Sequence, residues 1–156
     1  MSSPPIARNI MTTKLVTLSP QMDIFDAIGL LLKHKISGAP VVDDEGNFVG
    51  IFSEKDCLSV IVKAVYEQLP TAKLFAFVST DIHTVEEDTD LLSIAQIFLN
   101  NPFRRVPVLR GEKLVGQISR RDVLSAAHKI MAVAPDQDTA LLYLSSLVER
   151  SEAPIA

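Results

Sequence analysis

A single cysteine, Cys57, supplies all the thiol chemistry in this chain of 156 residues. An internal disulfide is therefore excluded, and a reducing cytoplasm is the simplest home. With Leu58, Val60 and Ile61 around it on an expected helix, Cys57 reads as a small buried hydrophobe. His34, His83 and His128 fall on different expected elements without ligand spacing, so a metal site is not expected. No glycine-rich phosphate loop is present. No nucleophile has an evident base partner, so an enzyme is not expected. No apolar run approaches the ~18 residues of a membrane span. The opening Met1-Ser2-Ser3-Pro4-Pro5 lacks the apolar core of a signal peptide. Basic excess is missing too: a net charge of −4 argues against nucleic acid as the partner.

What is present is a globular composition, 47% apolar and 22% charged, written twice. Val41-Val42-Asp43-Asp44-Glu45-Gly46-Asn47-Phe48-Val49-Gly50-Ile51-Phe52-Ser53-Glu54-Lys55-Asp56 returns as Val108-Leu109-Arg110-Gly111-Glu112-Lys113-Leu114-Val115-Gly116-Gln117-Ile118-Ser119-Arg120-Arg121-Asp122. Gly50, Ser53 and Asp56 map onto Gly116, Ser119 and Asp122 at an offset of 66, and Thr17, Asp23 and Pro40 onto Thr84, Asp90 and Pro107 at 67. A repeat of this length predicts two copies of one structural unit related by a pseudo-two-fold. Each copy is small enough to need the other.

Both copies read in the same order. A short extended piece (Leu15 to Leu18; Ile82 to Val85) leads through a turn into a helix, Asp23 to Lys33 and Asp90 to Asn100. Apolar residues recur there at i, i+3, i+4, and each Asp stands where an N-cap carboxylate belongs. A hairpin follows, Ala39 to Val42 with Phe48 to Ser53, and Val106 to Leu109 with Leu114 to Ser119. A second helix starts right after each Ser, from Glu54 to about Gln68 and from Arg120 to about Met131. The fold class is α/β (α+β): two pseudo-symmetric repeats, each a small three-stranded sheet with two helices, plus a C-terminal helix. The expected division is 1–69, 70–132 and a tail of 133–156, with Pro70 closing the preceding helix. In the tail, Asp136 caps a helix carrying Leu141, Leu142, Leu144, Leu147 and Val148, enough apolar surface either to pack on its own core or to form a subunit interface.

The chemistry-bearing residues cluster where strands end. Ser53 and Ser119 suit an N-cap and nothing more, yet a helix N-terminus also offers unpaired N–H groups to a phosphate. Asp56 and Asp122 follow on the first turn, where a carboxylate either complements the helix dipole or accepts two hydroxyls of a ribose. Arg104 and Arg105 enter one strand, and Arg120 and Arg121 leave its neighbour, so the four guanidinium groups are either solvated surface charge or together an anion site. The first copy has Ser37-Gly38 and Glu54-Lys55 at those places, which predicts weaker phosphate affinity.

Pro-Val-Val-Asp, then Gly-x-x-Ser-x-x-Asp, with Asn9-Ile10-Met11-Thr12 opening the module, resembles the CBS-domain family over roughly residues 8 to 131, as a tandem pair. The resemblance implies clefts that take AMP, ADP, ATP or S-adenosylmethionine. By match, Asp56 and Asp122 would hold ribose hydroxyls, and Ser53 and Ser119 ribose or phosphate. Arg104 and Arg105 would meet phosphates, and Thr17 and Thr84 would lie at the ligand; Arg120, Ala39, Pro40, Val106 and Pro107, beside these residues in the chain, complete the expected ligand-binding set. It implies a homodimer, and a regulated protein partner is expected with it; no cofactor is expected, and charge and hydropathy leave no nucleic acid and no membrane among the expected partners. The sequence departs from the family at Ser37-Gly38 and at Val78-Ser79-Thr80-Asp81. The expected function is a non-catalytic sensor of adenine nucleotides. The rival is a dimeric scaffold that has lost its ligand.

Overall fold

The architecture was obtained as a computed structural model that describes residues 4–69 and 71–151. Residues 1–3, Pro70, residues 152–156 and the Val148 side chain, with the readings placed on them, lie outside the described residues. The elements run α1 (Ala7–Ile10), α2 (Ile24–His34), β1 (Gly38–Val42), β2 (Phe48–Ser53), α3 (Glu54–Tyr66), β3 (Val85–Glu86), α4 (Leu91–Asn100), β4 (Arg105–Arg110), β5 (Lys113–Ser119), α5 (Arg120–Ala132) and α6 (Gln137–Ser151). A single 3-10 turn, Leu74–Phe77, stands between α3 and β3. The small sheets with flanking helices give the expected α+β class.

Local chemistry sets the element ends. Asp23 accepts from Phe25 N at 2.8 Å and Asp90 from Ser93 N at 2.9 Å, so both act as N-caps. In the first hairpin Asp43 Oδ1 accepts from Asn47 N and Glu45 N, each at 2.9 Å, and the Asn47 bond above all holds its carboxyl below the ordinary 3.8. Gly46 takes φ +82° in that turn, a conformation that costs a side chain strain.

The second sheet has three strands in the order β3-β4-β5, whereas the first has two, β1 and β2, paired antiparallel. The third place in the first sheet is held by Leu18 alone, in a parallel bridge to Val41. Leu18 N donates to Pro40 O and Val42 N to Leu18 O, both at 2.9 Å. Pairing cannot extend toward Val16 because Pro40 has no N–H to give. The expected strand from Leu15 therefore shrinks to one residue. Pro107 stands in the corresponding place in the second copy, where β3 is only two residues long.

The compact units exchange segments with respect to the expected division. One contains residues 14–84 and the tip 109–114; the other contains 4–13, 85–108 and 115–151. Thus 4–13 joins the second repeat, and the corresponding stretch after Pro70 joins the first. The bonds correspond one for one at the 67-residue offset. Ile24 N donates to Ala72 O at 2.8 Å, and Leu91 N to Pro5 O at 3.0 Å. Leu74 N donates to Met22 O at 3.0 Å, and Ala7 N to Thr89 O at 2.8 Å. Leu74 is buried with Leu18, Ile24, Leu31, Val41, Phe52 and Val60, and Ala7 with Ile94, Phe98, Val106, Val108 and Ile118. Each repeat's lead-in strand also pairs in the other repeat's unit. Ser79 and Ile51 exchange two bonds of 2.9 Å, and Thr12 and Gln117 exchange bonds of 2.9 and 3.0 Å. Backbone pairing saturates the outer edge of each hairpin at these points.

The tail helix α6 packs on α5 within its own unit. Leu147 is buried there, while Leu141 and Leu142 are exposed. Among the described residues no helix is long and apolar enough to cross a membrane, and no cluster of three or more His, Cys, Asp or Glu could hold a metal ion.

Candidate functional site

The two Ser-x-x-Asp pairs build the same local object. Ser53 has extended φ/ψ and caps α3, and Ser119 does the same for α5. Asp56 N donates to Ser53 Oγ at 3.3 Å while Ser53 N donates to Asp56 Oδ2 at 2.8 Å. The matching distances at Ser119 and Asp122 are 3.1 and 2.8 Å. These are reciprocal capping boxes, so one oxygen of each carboxylate is committed to the helix end.

The other oxygen distinguishes the copies. Asp56 Oδ1 accepts from the Ser79 hydroxyl at 2.9 Å, and the Ser53 hydroxyl adds a bond to Oδ2 at 2.9 Å. Asp56 is thus satisfied on both sides inside its own unit. Asp122 receives no such second bond among the described residues, and Thr12, the counterpart of Ser79, makes no hydrogen bond to it. Asp122 instead lines a cavity of about 710 Å³ bounded by α1, α5 and α6. Asn9, Ser125 and Lys129 add polar groups to that wall, and Ile10, Ile130 and Leu147 make it apolar. An apolar hollow with a few convergent polar groups is the usual form of a small-molecule site.

The arginines gather at the same helix end. Arg120 N donates to Arg104 O at 3.1 Å, and an Arg120 guanidinium nitrogen donates to Asn101 O at 3.4 Å. In the first unit Glu54 N donates to Ser37 O at 2.9 Å, which confirms Ser37 as the counterpart of Arg104. Arg104, Arg105, Arg120 and Arg121 are all exposed, and none pairs with a carboxylate among the described residues.

The remaining residues singled out from sequence are placed less uniformly. Val106 and Ala39 turn into the two cores, and Pro40 and Pro107 are buried beside them. Thr17 is exposed and Thr84 half-buried, both in the first-repeat unit. The cavity at Asp122 includes none of Arg104, Arg105, Arg120 or Ser119 in its lining. Burial pushes the Cys57 thiol above its ordinary value, with the Asp56 charge adding to the effect, as suits an inert core thiol.

Ser79 and Asn9 enter the sequence reading only as parts of the two opening segments, not as site residues, and Lys129 does not enter it. A signal for Ser79 did exist: the 67-residue offset, run backwards, aligns Ala7 with Leu74, Met11 with Val78 and Thr12 with Ser79. The same alignment explains the glycine of the motif. A Cβ on Gly50 would fall on Ser79 O and within 2.6 Å of Val78 Cγ1, and one on Gly116 would lie 2.5 Å from Met11 Sδ. The lead-in strand crosses directly over each glycine.

Comparison with known proteins agrees with this architecture. The family model of the CBS domain matches residues 7–63 and 74–129. An uncharacterized 17.7 kDa protein of Acidianus ambivalens is 32% identical over 118 residues, 75% of this chain and 70% of that one. The chain spans 41% and 23% of two longer curated relatives. The crystal structure of CBSX2 in complex with AMP superposes with a TM-score of 0.71 at 29% identity, covering 81% of this chain and 98% of that one. The CBS domain pair of protein MJ0100, in complex with 5′-methylthioadenosine and S-adenosyl-L-methionine, shares the fold at TM-score 0.66 and 20% identity, covering 81% and 98%.

Proposed function

Because the chain belongs to the CBS-domain family, with the domain present twice, we propose that it is a non-catalytic regulatory module that binds an adenine nucleotide, more tightly on its second repeat than on its first. The observation that carries this reading is the open oxygen of Asp122 beside an α5 N-terminus with four exposed arginines that have no carboxylate partner among the described residues. A ribose diol would donate to Asp122. The phosphates would meet Arg104, Arg105 and Arg120 and the positive end of the α5 dipole. CBSX2, solved with AMP, supports a nucleotide, and MJ0100 extends the candidates to S-adenosylmethionine. Regulation would follow from differential affinity: the ligand favours whichever arrangement of the protein binds it better. Calorimetric titration with AMP, ADP, ATP and S-adenosylmethionine tests the reading, and absence of heat for all four overturns it.

Arg104 divides the ligand chemistry. Arg104→Ala is expected to weaken AMP binding about tenfold, the scale of one charge-assisted hydrogen bond. It leaves adenosine almost unaffected, and it flattens the salt dependence of AMP binding. Titrations of AMP and adenosine at two salt concentrations check this. Equal losses for both ligands would move Arg104 from phosphate contact to fold maintenance.

A second reading, a dimeric scaffold without ligand, draws on α3. Leu58, Ile61, Val62, Val65 and Tyr66 recur at i, i+3, i+4, i+7 and i+8, and all are exposed, Tyr66 by 82%. A stripe of this kind on a soluble chain marks an association surface. Both readings expect a homodimer. Light scattering at tens of micromolar should give about twice 17.1 kDa, and Val62→Lys should return a monomer; a wild-type mass equal to the monomer would overturn the dimer. The scaffold reading alone expects no nucleotide heat.

A further inference from the structure

We propose that Ser79 closes the first repeat's site, so that the protein takes one nucleotide per chain, and that this single residue sets the occupancy. The inference rests on the reading of Asp56 and Asp122 as acceptors of sugar hydroxyls.

The placement of Ser79 begins with Gly50. Without a side chain at Gly50, the lead-in strand of the second repeat lies directly on β2. Two 2.9 Å bonds with Ile51 then fix the Ser79 backbone. That backbone delivers the hydroxyl to Asp56 Oδ1 at 2.9 Å. The other carboxylate oxygen already takes Ser53 N at 2.8 Å and Ser53 Oγ at 2.9 Å. A carboxylate offers about four acceptor sites and three of those on Asp56 are taken, so a ribose diol that needs two must displace a protein hydroxyl making the same kind of bond, and it gains little by the exchange. In the second unit the corresponding backbone pair, Thr12 with Gln117, is equally fixed. No bond runs from Thr12 to Asp122, so a ligand hydroxyl there meets an unused acceptor. At the outer carboxylate oxygen the two sites differ by one internal hydrogen bond, from Ser79 to Asp56, and that bond acts against the ligand. The closure holds for any ligand that presents a vicinal diol to the Ser-x-x-Asp carboxylate, whatever its phosphate number.

The probe is AMP, titrated calorimetrically into the full chain as wild type, Ser79→Ala, Asp122→Ala, and Asp122→Ala with Ser79→Ala. Ser79 is exposed and its sheet bonds are made by its backbone, so the alanine variant keeps the fold. Wild type should bind one AMP per chain and Ser79→Ala two. In the Asp122→Ala background, Ser79→Ala should tighten AMP binding by roughly three- to tenfold, the worth of one neutral hydrogen bond. Adding Asp56→Ala should abolish that gain, which a merely structural role for Ser79 would leave untouched. The inference is overturned if wild type already binds two AMP, or if Ser79→Ala leaves both the stoichiometry and the double-variant affinity unchanged. Loss of binding in Asp122→Ala with no gain from Ser79→Ala would leave the nucleotide reading standing while this one falls. No binding by wild type or any variant would remove both.

Discussion

Gly50→Ala is expected to lower the melting temperature by roughly 4–10 °C, because overfilling a packed contact costs about 1–3 kcal/mol in a protein of this size. The added methyl would land on Ser79 O and press on Val78 Cγ1, 2.6 Å away. The first of these is backbone, held by two bonds to Ile51, and it cannot step aside without breaking them. Gly116→Ala is the internal comparison. Its methyl would meet Met11 Sδ at 2.5 Å and Cγ at 2.8 Å, both on a flexible side chain that can change rotamer. Its loss should be less than half as large. Thermal unfolding of the two variants followed by circular dichroism gives the ranking. Equal losses would mean that both strands yield alike and that the rigidity assigned to the Ser79 crossing is wrong.

Asp122→Ala is expected to weaken nucleotide binding about 10- to 100-fold, since a hydrogen bond to a charged group is worth roughly 1.5–3 kcal/mol. Asp56→Ala should change it little. Stability cannot say which carboxylate meets the ligand, because each variant loses a capping box and Asp56→Ala also loses the bonds from the Ser53 and Ser79 hydroxyls. Affinity can. If Asp122 only caps α5, its removal lowers the melting temperature and leaves the titration curve in place. If Asp56→Ala is the damaging change, the working site lies on the first repeat, and the internal bond from Ser79 does not keep ligand out.

Much of this fold is legible in the chain because its information is local. The Asp23 and Asp90 caps, the Gly-containing hairpin turns and the Ser-to-helix junctions each lie within a few residues, and their periodicity or chemistry marks them. The strand ahead of each first helix is a weaker case. Its apolar residues are right, yet a proline on the neighbouring strand, Pro40 or Pro107, withholds the N–H that would lengthen it. The exchange of lead-in segments leaves no local trace at all. It depends on bonds such as Thr12 with Gln117, between stretches with no shared pattern except the repeat register. That register was obscured because Met11 and Thr12 are replaced by Val78 and Ser79. The site was legible in its residue types and their spacing. Which carboxylate is already engaged was not, because that turns on a hydroxyl from a segment belonging to the other repeat.

The exchange of lead-in segments also orders assembly in time. During synthesis Ala7, Met11 and Thr12 emerge first, but the surfaces that receive them, around Ile94, Gly116 and Gln117, emerge late. The stretch from Ala72 to Ser79 meets a first repeat that is already made. The unit built on the first repeat can therefore gather most of its core while the chain is still growing, and the N-terminal segment waits for a loop closure across most of the sequence, the slow kind of contact. Until then, the edge of β5 that Thr12 will occupy is an open strand, available to the same segment of another chain.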